Sequence, residues 1–305
     1  MEIIIHHTIS DLYKYLNLPL KQEIDFTIHF KPDIIHQIPF QSPTFREDYF
    51  TFSFIKEGSG FYTIDENKFP FCSRTIYFTN PGHIKSFEIN ELHDAYMISF
   101  TENFLRENVH TDMYDEFPFL LSEIVPPKTL SDKKFKEYET LYKQIFDEYE
   151  KPSVYKNKIL GNLFVVLLLK LKEEFWLHYN PIMEGNGNSQ IVQSFKHLLE
   201  SEFKKVMEKQ HNDSKLQAQH FAERLNLHPN YLNSVIKSKT GTTINEWIVI
   251  RTLSAAKSLL KNTSLSVKEI AYRLGYSEPT HFNRFFKKHQ NMTPIAFRKS
   301  YHSLK

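Results

Sequence analysis

The chain is poor in residues that mark several whole classes of protein. It has one cysteine among 305 residues, which excludes a disulfide framework and the paired thiolates of a zinc finger. Its eight glycines form neither a P-loop nor a dinucleotide-binding fingerprint, so glycine-rich loops that cradle nucleotide phosphates are absent. No long apolar stretch occurs. The longest run, LFVVLLL at Leu163–Leu169, falls far short of the roughly 18 residues a membrane span needs. The opening MEIIIHHTISDLYKYL lacks the basic region, apolar stretch and small-residue cleavage site of a secretory signal. Hydrophobic content of 41% with 24% charged residues suits an ordinary soluble chain able to bury a core. The expectation is a cytoplasmic protein with no membrane association, and the length suggests two domains.

What charge there is lies unevenly. The whole chain is nearly balanced at +2, yet from Ser189 to the end 19 Lys+Arg face 8 Asp+Glu, a net of +11 against −9 before it. Such asymmetry points to a polyanion-binding module joined to something else. At the break, Tyr179–Ser189 gathers Pro181, Gly185, Asn186, Gly187 and Asn188 between two apolar-periodic stretches. That composition reads as a linker, the alternative being a long surface loop.

The first part reads as strands followed by helices. EIDFTIHF, YFTFSFIKE, FYTIDE, RTIYF, IKSFEI and AYMISF are short runs rich in β-formers, punctuated at Gly58-Ser59-Gly60, Glu66-Asn67 and Asn80-Pro81-Gly82. This spacing predicts an antiparallel sandwich or barrel. Past Thr101 the period changes. Phe135, Tyr138, Leu141, Tyr142, Ile145 and Tyr149, and then Leu160, Leu163, Leu167, Leu171 and Phe175, recur at steps of three and four, the mark of amphipathic helices.

A catalytic barrel has little behind it. Metal ligation on one strand face needs side chains at i and i+2, and no His-x-His occurs. His36, His83 and His93 are isolated, and each reads as a surface or satisfied polar residue. Cys72 follows Phe71 and reads as a small buried hydrophobe. No cofactor or metal is expected.

The second part contains a repeat. Phe221-Ala222-Glu223-Arg224-Leu225 matches Ile270-Ala271-Tyr272-Arg273-Leu274 at an offset of 49, and YLNSVIKSKTGTTINEW from Tyr231 matches HFNRFFKKHQNMTPIAF from His281 at 50. Each copy reads as a helix, a turn and a second helix, with small Ala222 and Ala271 allowing close approach. Thr243/Glu246 and Ser266/Glu269 fit capping boxes, Gly275 a terminator, and Pro229 and Pro279 first-turn prolines. The helix opened by Thr243 extends to about Lys261 and spans roughly 28 Å. That is near the roughly 34 Å between successive major-groove faces.

The polar faces of the two second helices carry candidate base readers: Asn230, Asn233 and Ser234, then Thr280, His281, Asn283 and Arg284. Asn pairs bidentately with adenine and Arg with guanine in the major groove. Lys237, Lys239, Lys287 and Lys288 are candidate phosphate contacts.

These segments, LNLHPNYLNSVIKSKTGTTINEWI, RTLSAAKSLL and SVKEIAYRLGYSEPTHFNRFFKKHQNMTP with AFR, resemble the double helix–turn–helix domain of the AraC/XylS transcription regulators. The likeness covers about the last third of the chain. Asn291 stands for the family's usual Gly and Phe297 for its Tyr; Asn tolerates the left-handed backbone a Gly would adopt. FTNPGHIKSFEI and AYMISF are similar to the cupin-like sensing domain common in the family. The resemblance implies an α+β, two-domain regulator of bacterial, nucleoid-associated habit. Residues 1–180 would form a cupin-like sensing and dimerisation domain, with a barrel over about 20–100 and helices over about 101–179. Residues 181–188 would be a linker, and 189–305 an all-α domain of two helix–turn–helix motifs on a long helix. The partners implied are a promoter site on double-stranded DNA, an unidentified small-molecule effector, and RNA polymerase if the protein activates. A homodimer through Leu160, Leu163, Leu167 and Leu171 competes with intramolecular packing of the same leucines. Phe26, Phe50, Phe52, Phe54, Tyr62, Tyr77 and Phe87 supply either core or ligand box. The competing class is an enzyme with a catalytic barrel and a generic DNA-binding tail.

Overall fold

The computed structural model describes residues 3–19, 24–35, 37–64, 67–108, 113–121, 125–177, 187–208 and 216–302. The chain divides into two compact units, Met1–Glu184 and Gly185–Lys305. Residues 181–186 of the expected linker lie outside the described residues, whereas Gly187 and Asn188 already belong to a helix.

The first unit is built on two long antiparallel strands, β5 (Phe50–Ile64) and β8 (Ile84–Phe100). Around them lie β1 (Ile4–His6), β2 (Phe26–Phe30), β3 (Phe40–Gln41), β4 (Phe45–Glu47), β6 (Asn67–Phe71), β7 (Thr75–Thr79) and β9 (Lys128–Thr129). Their order is β1-β4-β8-β5-β7-β9, with β2 and β3 also on β8 and β6 also on β5. All pairs are antiparallel except β1 with β4. Among the described residues the ends of this path do not meet, so the expected barrel is an open, cupin-like sheet. It also exceeds the expected span, since β1 precedes it and β9 follows it.

Gly58-Ser59-Gly60 is not a turn. It sits inside β5, where the register with β8 shifts between Ile55 and Gly60. A Cβ on Gly60 would lie 2.1 Å from the Glu88 carbonyl oxygen, and one on Gly58 2.7 Å from that of Glu91. Glycine in a strand here marks a bulge and close backbone approach. Phe50–Ile64 is thus one bent strand that joins the YFTFSFIKE run to the start of the FYTIDE run, as Ile84–Phe100 joins IKSFEI to AYMISF.

Alternation along β5 gives the sheet two buried faces. Phe50, Phe52 and Phe54 point to the helices α4 (Asp132–Glu150) and α5 (Lys156–Phe175), with Phe54 5.6 Å from Phe135 and 4.9 Å from Tyr142, and Phe52 5.7 Å from Phe164. Leu160, Leu167 and Leu171 are fully buried in this core, and Leu163 packs against it partly buried. The proposed dimer stripe is therefore intramolecular core, because the sheet's aromatic face claims it. Shorter α-helices α1 (Ile9–Tyr15), α2 (Glu102–Asn108) and α3 (Met113–Glu116) and 3-10 turns at Lys31–Asp33 and Pro118–Leu121 also lie in the unit.

The second unit is all helical. Its helices are α6 (Gly187–Glu208), α7 (Ala218–Arg224), α8 (Pro229–Thr240), α9 (Ile244–Asn262), α10 (Val267–Arg273), α11 (Pro279–Gln290) and α12 (Pro294–His302). Phe195, Leu199 and Phe203 of α6 close the core of the first helix–turn–helix around Phe221, Ala222, Leu232 and Ile236. Ala256 and Leu260 of α9 do the same for the second around Ile270, Ala271, Phe282 and Phe286. Arg251 of α9 donates to Glu200 of α6 at 3.0 Å, tying the spacer to the first copy.

Candidate nucleic-acid interface

The capping boxes that open α9 and α10, the helices flanking the recognition helices, are in place. Thr243 Oγ1 accepts from Glu246 N while the Glu246 carboxylate accepts from Thr243 N at 2.7 Å. Those Thr243 N–H and O–H donors hold the Glu246 carboxyl below the usual carboxylate range. Ser266 and Glu269 repeat the arrangement at the start of α10. Pro229 and Pro279 occupy the first turns of α8 and α11. Gly241 and Asn291 end them in the left-handed region, at φ 75° and 55°. Asn291 thus does the backbone work expected of a glycine.

Buried Leu232, Val235 and Ile236 hold α8, and buried Phe282 and Phe286 hold α11, so the opposite faces turn to solvent. Asn230, Ser234 and Lys237 are exposed on α8; Thr280, His281, Asn283, Arg284, Lys287 and Lys288 are exposed on α11. Two of the expected contacts differ. Asn233 is half-buried, and its side-chain carbonyl accepts from Ile244 N at 3.1 Å, which joins α8 to the start of α9 and takes up that acceptor. Lys239 is half-buried and has an interaction of its own within the chain, which removes it from the free phosphate contacts.

Two exposed residues were not singled out in the sequence. Tyr231, the counterpart of His281, is exposed, and its hydroxyl donates to Asn188 Oδ1 at 3.3 Å. Its place in the repeat could have found it, since His281 was named. Glu278 is exposed at the N-cap of α11 and makes no side-chain cap bond. Its carboxylate is an acceptor suited to cytosine N4.

In the first unit, the second sheet face borders a cavity of about 90 Å³. His6, Tyr15, Lys31, Phe40, Ser53 and Phe87 are among its lining residues. One wall contains a buried ion pair, in which Lys85 Nζ donates to Glu47 Oε2 at 2.9 Å and to Thr79 Oγ1 at 2.8 Å. Burial holds the His6 imidazole below its usual range despite nearby Glu47 and Asp11. Phe26, Phe50, Phe52 and Phe54 are core on the opposite, helix-covered face. Tyr62 stacks on Tyr77 and Phe87 at 5.2 and 5.3 Å, and of that aromatic set Phe87 reaches the cavity.

Cys72 corrects another expectation, being exposed. Phe71 takes the inward position at the end of β6, and alternation turns its neighbour out. His83 is buried with a partner of its own, His93 is exposed, and His36 lies outside the described residues. Among the described residues no three His, Cys, Asp or Glu side chains gather as a metal site, and no helix is long and apolar enough to cross a membrane.

A tandem pair of helix–turn–helix units with outward-facing basic helices defines a DNA-binding regulator of transcription. Comparison with known proteins bears this out. Residues 221–300 match the family described as a helix-turn-helix domain. The Msm operon regulatory protein of Streptococcus mutans is 27% identical over 264 residues, covering 84% of this chain and 86% of that protein. The transcriptional activator RhaS of Citrobacter koseri is 22% identical over 273 residues, covering 84% and 87%. Among solved structures, ToxT of Vibrio cholerae covers 90% of this chain and 98% of its own at 14% identity and a TM-score of 0.36; a likeness at that score establishes nothing about ligands. The chain is thus similar to AraC-type transcription regulators, over its C-terminal helix-turn-helix domain and, more distantly, over most of its length.

Proposed function

We propose that this regulator reads two successive major-groove faces of a promoter site, one with α8 and one with α11. The observation carrying this is the 19-residue helix α9 joining the two motifs, a spacer of roughly 28 Å. Asn230, Ser234, Thr280, His281, Asn283 and Arg284 read bases, with Tyr231 and Glu278 beside them. Lys237, Lys287 and Lys288 hold phosphates. Because α11 carries Arg284 where α8 carries Ser234, the second motif contributes more of the base discrimination.

The cavity of the first unit is the effector site in this reading, as a mostly apolar pocket with a few polar groups is the usual form of a small-molecule site. Dimerisation falls to the outer face of α5. There Tyr155, Ile159, Val166 and Leu169 are exposed and apolar at helical spacing. RNA polymerase is a partner if the protein activates. Cys72 lies on the surface and outside the cavity wall.

Selection of bound fragments from the source genome with the full-length chain tests the core of this reading. The expected result is one enriched motif with two protected major-groove patches about one helical turn apart. Binding that is salt-sensitive but blind to sequence would reduce the second unit to a generic DNA anchor.

A further inference from the structure

The hydrophobic cores of the two helix–turn–helix copies are separate. Phe203 of α6, Leu216 and Ile248 of α9 belong to the first core, and Leu274, Tyr276 and Phe285 to the second. These six residues line one cavity of about 130 Å³, so the gap lies where the two cores face each other. Gly275 turns the chain at φ 81° between Leu274 and Tyr276 and brings no side chain to fill it.

The lining contains no charged side chain. Arg251, beside Thr252 on α9, is bound to Glu200 at 3.0 Å instead. Thr252 does line the cavity, but its hydroxyl donates to the Ile248 carbonyl oxygen at 2.7 Å. The Tyr276 hydroxyl has no partner among the described residues, and burial alone pushes its pKa up. The Tyr276 ring is fixed by packing 5.5 Å from Phe282 and 5.7 Å from Phe285. An apolar space with aromatic walls and one open hydroxyl complements an uncharged ring that carries one hydrogen-bonding group. An ion entering it would lose its hydration with nothing to replace it. An apolar cavity of about 150 Å³ takes up benzene, so a single small ring is the right size.

We propose that this cavity binds a small, uncharged ring compound, hydrogen-bonded to Tyr276, and that the bound ring fastens the two copies together. The fastening rests on reading α8 and α11 as a pair on successive grooves; the site itself does not. Phe285 is the neighbour of Arg284 on α11, and Phe203 shares a core with Leu232 and Ile236 of α8. An occupant between these walls opposes independent movement of the two recognition helices. Holding them in register lowers the ordering cost of engaging two grooves at once.

Calorimetry and thermal melting of the full-length chain with phenol, toluene and benzoate test the site. Phenol should bind one-to-one and raise the Tm, with toluene several-fold weaker and benzoate about ten-fold weaker or worse. Tyr276→Phe should bring phenol and toluene to similar affinities. Val206 and Val249 also line the cavity, and Val206→Phe or Val249→Phe should fill it and weaken phenol about ten-fold. The wild-type order of the three probes needs no variant and stands even if a variant fails to fold. No saturation by phenol, benzoate binding as tightly as phenol, a phenol preference kept in Tyr276→Phe, or unaltered phenol binding in both filling variants would each overturn the proposal. On the selected promoter site phenol should tighten binding several-fold, and on a fragment carrying one groove patch it should change nothing. Equal affinity for the full site with and without phenol removes the fastening. A selection that returns no motif sinks the two-groove reading, and the phenol titrations still decide the site.

Discussion

The Asn233 side-chain carbonyl accepts a hydrogen bond from the Ile244 backbone N–H at 3.1 Å, fastening α8 to the first turn of α9. In the second copy the counterparts are Asn283 and Pro294. Proline has no N–H to donate, and Asn283 stays exposed. Two asparagines at matching places in a repeat therefore have different work. Asn233→Ala should cost about 1 kcal/mol of stability and leave base preference unchanged. Asn283→Ala should leave stability nearly unaltered and relax preference at one base pair. Urea denaturation alongside gel-shift titration on single-base operator variants checks both; relaxed preference in Asn233→Ala would reverse the assignment.

Arg284 and Lys287 share the solvent face of α11 but should fail differently. Arg284→Ala is expected to cost about 1–3 kcal/mol on the specific site and little on random DNA. Lys287→Ala should weaken both and lower the salt slope by about one ion. Affinity measured across a salt series on both DNAs separates them. An equal loss on specific and random DNA for Arg284→Ala is the result that would refute base reading.

The Thr243–Glu246 capping box ties stability to pH. The Thr243 donors hold the Glu246 carboxyl below its ordinary value. Its contribution is therefore present above the unfolded carboxylate's pKa and lost as pH falls through the lower folded value. Glu246→Gln should be less stable than the parent near pH 7, and the two should converge at acid pH. Thr243→Ala should cost about 1 kcal/mol. Denaturant midpoints between about pH 7 and about pH 3 provide the readout, and a gap that persists unchanged into acid would remove the linkage.

On α5, neighbouring residues predict opposite outcomes. Leu167 is fully buried while Val166 and Leu169 are 42% and 44% exposed. Leu167→Ala should cost about 2–5 kcal/mol. Val166→Glu with Leu169→Glu should fold normally and, if the outer face forms the dimer, sediment as a monomer. A folded double variant of unchanged mass places any dimer contact elsewhere.

Gly60→Ala asks whether β5 and β8 need their glycines. The added Cβ would meet the Glu88 carbonyl oxygen at 2.1 Å and the Phe71 ring at 2.6 Å. The backbone cannot yield without opening the ladder, so a loss of several kcal/mol is expected. A melting temperature within a few degrees of the parent would show that the bulge relaxes.

Much of the second unit was legible because its information is local. Helix periodicity, the Thr243 and Ser266 caps, the first-turn prolines and Asn291 as a left-handed terminator all act within a few residues of their own positions. The first unit was less so. Gly58 and Gly60 carry the same turn signal as any glycine pair, and only pairing with β8 makes them a bulge in one long strand. Cys72 beside Phe71 gives no hint of which one faces in until β6 is set on β5.

By its sequence alone this chain determined that it has a basic, twice-repeated helix–turn–helix half and a β-rich half, since charge, period and capping are properties of neighbours along the chain. Tertiary structure alone decided that Asn233 is a brace, that the Leu160–Leu171 stripe is core, and that Lys31 is buried against the Tyr77 hydroxyl. Each depends on which distant residue arrives opposite. Burial and hydrogen-bond satisfaction are settled by partners remote in sequence, which no local pattern records.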